Sequence, residues 1–421
     1  MTILENVHQI FSEVKEKQYS FSYAVNKKVS SLGLSETDLV IAKDTLKSVI
    51  NRYYFLRSEI TDLVDDIESK EADVLVLALA MARYARNVVV NDVINFLRLT
   101  KEENNYSFDI DKIEAKFNEI AKKPTPIPEK YENNFVKKVS LLFSYPEWIV
   151  GMMKKHFGSK NTFKTISSSR KSSPINICIN PMKAESLPET EFVKTDIAST
   201  SYEYIAKNVL VDNPLFKHKK IFVMDQMEQL LADVLEVNQG DDVLIAGGIH
   251  NHLANLLSLK VDNFVNIDYA CPSETVYLAC KKMSEQFDIR SVKAFESDMD
   301  LLKTFVEYGK YDKVLLTPLN SELGLIRQKP EILITFKQNE LDGLILGQKN
   351  AIREASHFVK EGGTFIYSVP TLNNKESFNI VNEFIAEDDS FELLEEKLIF
   401  PYVHKTSGLY YAKMKKKITE E

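Results

Sequence analysis

The sequence predicts a multidomain protein with an all-α N-terminal domain, a small α+β middle domain and an α/β, Rossmann-like C-terminal domain. Three observations predict this. Apolar residues recur at three-to-four spacing from about residue 2 to 121; prolines crowd the stretch that follows; strand and helix patterns alternate after residue 221. At 421 residues the chain also exceeds the size at which a single hydrophobic core keeps growing.

The first domain, 1–123, is read from segments such as "LENVHQIFSEV" and "ETDLVIAKDTLKSVINRYYFLRSEITDLV". Ser35 in "LSETDL" can accept backbone N–H bonds and is the expected cap of a long helix. The most apolar stretch, "VLVLALAMARYARNVVV", is broken by Arg83 and Arg86. It is shorter than the roughly 18 to 20 residues a bilayer needs, so it predicts a buried helix and no membrane span. The start "MTILENVHQIFSEVKEK" has Glu5 and lacks a basic-then-apolar signal pattern. Cys178, Cys271 and Cys280 form neither a CxxC pair nor an even framework, which fits a reducing cytoplasm. Pro124, Pro126 and Pro128 on alternate positions interrupt any helix or inner strand and mark a linker, 124–135.

The middle domain, 136–220, mixes a helix around "VKKVSLLFSYPEWIVGMMKKHFG" with a strand at "PINICIN". The net charge of −8 argues against a chain that coats nucleic acid broadly, so any polyanion site has to be regional. One region qualifies: between Gly151 and Ser173 there is no acidic residue, while Lys154, Lys155, Lys160, Lys164, Arg170 and Lys171 are basic. Such a run serves either phosphate-backbone contact or a solvated loop. "KHKK" (217–220) and "KMKKK" (413–417) add two further basic clusters, and Trp148 in "SYPEWIV" is expected in a core.

The third domain, 221–421, alternates candidate strands "DVLIAG", "NFVNID", "SVKAFES", "KVLLT", "GTFIYSV", "LLEEKLIF" and "SGLYYAKMK" with helices. In such sheets ligands bind beyond the carboxyl ends of the strands. At the first of these ends, "LIAGGIHN" offers Gly247 and Gly248 for a tight strand-to-helix turn. Asp268 stands 20 residues after Gly248, the spacing of a carboxylate that holds a ribose hydroxyl, and Asp298 in "ESDMD" ends the third strand similarly. Taken alone, both carboxylates fit helix caps or turns equally well. His250 and His252 supply no third ligand and are expected as surface or capping residues, so no metal site is predicted.

Taken together, the chain resembles the Sun-type 16S rRNA cytosine-C5 methyltransferase B family. "FSYPEWIVGMMKKHFG" is similar to that family's Ser-x-Pro-x-Trp segment and basic helix. "CINPMK" resembles its Arg-x-Asn-x-x-Lys strand, with Asn180 and Lys183 matching and Cys178 in the arginine position. "NSELGLIRQKPEI" keeps Gly324, Arg327 and Pro330 of the loop after the catalytic motif, while "EGGTFIYS" and "SGLYYAKMKKK" match two closing strands. The resemblance implies a helical domain like the antitermination factor NusB, an RNA-contacting middle domain and an S-adenosylmethionine domain. It also implies that Asp268 and Asp298 match ribose and adenine contacts.

The family's chemistry uses a cysteine thiolate that attacks C6 of cytosine and a second cysteine that helps release the product. In this sequence Pro370 and Asn320 occupy those positions, and neither can act as a thiolate. Thr317 replaces the aspartate of the fourth-strand motif, and the cofactor loop is shortened, leaving Ile245 and Ile249 at its aspartate and lysine positions. The expectation is a degenerate, catalytically inactive homologue in the cytoplasm. It would bind rRNA or a ribosome assembly intermediate through Lys154, Lys155, Lys164, Arg170, Lys171, Asn180 and Lys183, with no DNA or membrane partner and with at most a vestigial S-adenosylmethionine site. An active S-adenosylmethionine-dependent RNA methyltransferase with a rearranged site, and a protein-interaction scaffold, are the alternatives.

Overall fold

The computed structural model describes residues 2–17, 19–123 and 126–419. They divide into two compact units, Met1–Arg170 with Gln328–Gln338, and Lys171–Arg327 with Asn339–Glu421. Residues 136–170 of the expected middle segment, with its two long helices, fall in the first unit, and residues 171–220, with its strands and the short helix Pro214–Lys217, in the second. Pro124, where the expected linker begins, lies outside the described residues; from 126 to 134 the only regular element is a short 3-10 turn, Glu129–Tyr131.

The first unit is all helical. Its longer helices are Ile3–Lys15, Glu36–Glu59, Lys70–Tyr84, Val90–Asn104, Ile110–Ile120, Phe135–Phe143 and Glu147–Ser169. Side chains that accept orphan N–H groups set the starts: Thr2 takes Glu5, Ser35 takes Asp38, Ser69 takes Ala72, and Asp109 takes Asp111 and Lys112. Lys70–Tyr84 is buried throughout from Ala72 to Met81, which is why its apolar residues run all round the helix. Among the described residues no helix is long and apolar enough to cross a membrane. Arg83 ends this helix as half of a buried ion pair, with Nη1 2.5 Å from Glu59 Oε2 and Nη2 donating to the Ile120 carbonyl at 2.7 Å.

Part of this unit comes from far along the chain. The short helix Ile332–Thr335 packs here, with the Tyr54 hydroxyl donating to the Leu333 carbonyl at 2.9 Å. The half-buried Trp148 ring lies 5.8 Å from the Phe336 ring, so it serves packing.

The second unit holds two sheets. The smaller is antiparallel, in the order β2-β3-β1-β4, with β1 Ile175–Ile179, β2 Phe192–Lys194, β3 Ser201–Tyr204 and β4 Ile221–Val223. The larger has seven strands: β5 Asp242–Gly247, β6 Asn266–Cys271, β7 Val292–Glu296, β8 Tyr311–Thr317, β9 Val359–Val369, β10 Phe391–Ile399 and β11 Leu409–Lys416. Their order is β10-β11-β9-β8-β5-β6-β7; β5 to β9 are parallel and β10 and β11 antiparallel. Helices Gln226–Leu235, Asn251–Lys260 and Glu274–Phe287 cover one face, and Leu341–Ser356 and Phe378–Glu387 the other. This is the doubly wound, Rossmann-like fold that the alternating pattern predicts, and its switch point lies between β5 and β8.

One boundary differs with consequence. The sequence places the second strand over "NFVNID", but left-handed Asp262 and Asn263 (φ 54 and 61) begin a turn that leaves Phe264 exposed. The strand therefore starts at Asn266 and runs on to the buried Tyr269, Ala270 and Cys271.

Candidate functional site

The crevice beyond the ends of β5 and β8 is where a doubly wound sheet receives its ligand. β5 leaves it through Gly247 and Gly248, both left-handed (φ 73 and 66). A Cβ on Gly247 would stand 2.5 Å from the Thr317 carbonyl oxygen, so the turn rests directly on the end of β8. A Cβ on Gly248 would overlap the imidazole of His250. Of the surface or capping places that the sequence suggests, His250 takes the N-cap position of Asn251–Lys260, but it is 7% exposed and its ring makes no cap bond, turning instead toward Thr317. Nε2 lies 2.8 Å from Thr317 Oγ1, and Nδ1 lies 3.4 Å from Oε1 of Glu228 on Gln226–Leu235. The His250 N–H donates to the Tyr269 hydroxyl at 2.7 Å, which donates to the Gly248 carbonyl at 2.9 Å.

Hydroxyl, imidazole and carboxylate follow one another here as in a hydrolytic triad. A nucleophile must however be reachable, and Thr317 is 5% exposed with the ring in front of its hydroxyl. The arrangement closes a crevice; it does not expose a reactive oxygen.

Of the two carboxylates expected at strand ends, one lies within its strand and one follows its strand. Asp268 is the third residue of β6, and its carboxylate takes a 2.7 Å bond from the Tyr311 hydroxyl and an ion pair with Lys310 at 3.1 Å. The residue that ends β6, just before the Ser273 cap of the next helix, is Cys271. Burial pushes its thiol up to about 12. Asp298 does follow β7, where it is exposed and accepts the Leu301 N–H at 2.9 Å. Gly247 and Gly248 line the crevice with His250, and neither aspartate joins them.

Asn320 and Pro370 follow β8 and β9. The next residues, Ser321 and Thr371, touch through their hydroxyls at 2.9 Å. Both reach Glu376, a fully buried carboxylate: Ser321 Oγ lies 2.6 Å and Thr371 Oγ1 3.0 Å from Oε2, so two hydroxyl protons are shared among three oxygens. The Ser321 N–H (2.8 Å), Asn373 Nδ2 (3.2 Å) and Gln348 Nε2 (3.1 Å) also donate to Glu376. Behind this hub the Gly324 N–H donates to the Pro370 carbonyl at 2.9 Å, and its Cα sits too close to Gly408 for any side chain. The three cysteines lie away from the hub; burial holds Cys178 near 12 and Cys280 near 11, so neither offers a thiolate.

The expected basic residues divide by burial. Lys154, Lys155, Lys160 and Lys164 are exposed on a helix that bends at Gly158 (φ 73, ψ 165). Arg170 instead donates to the Asn51 carbonyl, and burial lowers the pKa of its guanidinium. In the second unit Lys171 and Lys183 are exposed. Asn180 is buried and ties a turn: Nδ2 donates to the Lys219 carbonyl at 3.1 Å and Oδ1 accepts the Met182 N–H at 3.1 Å. Its backbone N–H donates to the Lys220 carbonyl at 2.8 Å, which gathers Lys183, Lys219 and Lys220 at one end of the small sheet. The "KMKKK" cluster is structural in part: Lys413 pairs with Glu236 at 2.7 Å, and Lys416 donates to the Val359 carbonyl at 2.9 Å.

Residues 242–415, from β5 to β11, match the family model described as 16S rRNA methyltransferase RsmB/F. Over these residues the α/β domain is similar to the RsmB/F family. The chain is 24% identical over 311 residues, 67% of its length and 68% of the relative's, to the Bacillus subtilis protein named "Probable ribosomal RNA small subunit methyltransferase B". It is 22% identical over 321 residues, 70% of this chain and 71% of the other, to the Shewanella oneidensis "Ribosomal RNA small subunit methyltransferase B". The crystal structure of PH0851 superposes with a TM-score of 0.76 at 17% identity, covering 98% of this chain and 97% of that one. NSun6 from Pyrococcus horikoshii with SFG gives a TM-score of 0.57 at 13% identity, covering 65% and 99%. At these identities the two structures show the fold.

S-adenosylmethionine, which the resemblance to the RsmB/F family implies, does not fit the residues at this strand end. The His250 ring stands against the Gly247–Gly248 turn, 2.8 Å from Thr317 Oγ1, and a neutral thiol ends β6 where such sheets offer a carboxylate to a ribose. Sequence reasoning missed His250, Tyr269 and Glu376. The signal for Glu376 was there: Ser321, Thr371, Asn373 and Glu376 put a cluster of polar side chains directly after the positions where the RsmB/F resemblance looks for cysteine.

Proposed function

We propose that this protein is a non-methylating homologue of the 16S rRNA methyltransferases, a cytoplasmic protein that binds rRNA or a ribosome assembly intermediate through an exposed basic helix. The observation that carries this reading is the closed hub of Ser321, Thr371 and Glu376, built where the resemblance puts the two reactive cysteines. A base can react there only if it enters beyond β8 and β9, and five donors converging on one buried carboxylate hold that place shut. Asn320 and Pro370 beside it supply no nucleophile.

RNA contact is assigned to Lys154, Lys155 and Lys164, with Lys171 and Lys183 contributing from the second unit. Arg170 and Asn180 act as structural residues that shape the segments carrying the lysines. Contact of this kind tracks phosphates and positions the protein without reading bases.

The test is to incubate the purified protein with deproteinised small-subunit rRNA and tritiated S-adenosylmethionine, and to follow binding of the same RNA by filter retention across a salt series. The expected outcome is salt-dependent binding without tritium in the RNA. Label in cytosine would overturn the non-methylating reading, and salt-independent or negligible binding would overturn the RNA-binding one.

A further inference from the structure

We propose that His250 is an intramolecular occupant of the switch-point crevice, a side chain standing where a doubly wound sheet takes a diffusible ligand, and that removing its ring opens a pocket for a flat nitrogen heterocycle. The proposal goes beyond the non-methylating reading and is independent of it, since a protein without a catalytic nucleophile can still keep an open nucleotide crevice.

Three features make the ring an occupant and not a chance neighbour. Gly247 and Gly248 keep the left-handed turn that brings a backbone close to a bound group, but the room at Gly248 is used by the imidazole. Both ring nitrogens have polar partners. Nδ1 lies 3.4 Å from the Glu228 carboxylate and Nε2 2.8 Å from the Thr317 hydroxyl, a group that can donate or accept. The main chain of the same residue is anchored separately: the Tyr269 hydroxyl takes its N–H and gives its own proton to the Gly248 carbonyl, holding the turn in the shape that aims the ring inward. Glycine room, paired heteroatoms and a fixed main chain are what a site provides for a bound heterocycle; here the heterocycle is tethered.

A tethered ligand is replaceable by its free counterpart. In His250→Gly the crevice keeps Thr317 and Glu228 and lacks only the ring, so free imidazole is the matching probe. Thermal unfolding of the full chain is measured with 0 to about 20 mM imidazole, at which a millimolar ligand gives a readable rise in midpoint. The expected result is no response in the wild type, a lower midpoint in His250→Gly, and recovery of a part of that loss with imidazole that saturates. A folded His250→Gly that imidazole does not raise would overturn the proposal. Should that variant fail to fold, diethyl pyrocarbonate labelling of the wild type decides. His250 is spared while the exposed His218 reacts if the ring is held in the crevice, and equal labelling of the two overturns it.

Discussion

The hydroxyls of Ser321 and Thr371 stand 2.9 Å apart across 50 residues of chain, both on the carboxylate of Glu376. They join the ends of β8 and β9, the two strands whose parallel pairing forms the middle of the seven-stranded sheet. A polar group buried at such a joint holds the sheet ends only while every donor has its acceptor.

Glu376→Ala removes that acceptor from five donors at once. Unsatisfied buried groups cost about 1 to 3 kcal/mol each, with partial relief from water entering the gap, so a loss of about 3 kcal/mol or more is expected. Urea unfolding monitored by circular dichroism measures it. A loss under about 1 kcal/mol would mean that the hub is not holding the strand ends.

Arg170 and the lysines of the bent helix separate stability from binding. Replacing Lys154, Lys155 and Lys164 together by Gln is expected to leave the urea midpoint unchanged and to flatten the dependence of log K on log salt, by about 0.9 for each phosphate that the protein no longer neutralises. Arg170→Gln should do the reverse, lowering the midpoint because the Asn51 carbonyl loses its donor, with the salt slope intact. Filter binding across a salt series, run beside the unfolding curves, checks both halves; a slope that follows Arg170 would reassign it to the RNA face.

The buried thiols make stability fall at high pH. Cys271 and Cys178 are held near 12 and Cys280 near 11 by burial, whereas an unfolded cysteine ionises near 8.5. Above that value the unfolded chain releases protons that the native protein keeps, so the contribution is fully present below about pH 8.5 and is lost as pH rises toward 11 to 12. Each thiol adds a slope of up to about 1.4 kcal/mol per pH unit in that window. Urea midpoints between pH 8 and 10 test this, and replacing the three cysteines by Ala or Ser should flatten the decline. An unchanged slope would place the titration in other groups.

The fold was legible because it rests on periodicity: three-to-four spacing marked the helices, and strand-helix alternation marked the parallel sheet. The site was legible only where a residue acts near its own position in the chain. Gly247 and Gly248 make the turn their type predicts, since a positive φ is a local property. Asp268 was misplaced because "FVNI" is as apolar as the "YAC" that fills the end of β6, and a three-residue slip moves a carboxylate from the ligand side of a sheet to a bond with Tyr311. His250, Thr317 and Glu228 meet across 67 and 22 residues, and nothing in a local pattern records such a meeting.

Gly248 and His250 should therefore behave as one unit. At φ 66 any side chain on residue 248 is strained by about 1 kcal/mol, and beyond that strain its Cβ collides with the imidazole. In Gly248→Ala against the wild type both costs appear. In Gly248→Ala on a His250→Ala background the clash with the ring is gone, and the backbone strain and a 3.0 Å approach to the Thr317 Cβ remain. The double-mutant cycle is expected to give a coupling of about 1 to 3 kcal/mol, with the double variant more stable than the two single losses predict. Additive losses would show that the ring does not stand against Gly248 in solution, whatever fills the crevice in its place.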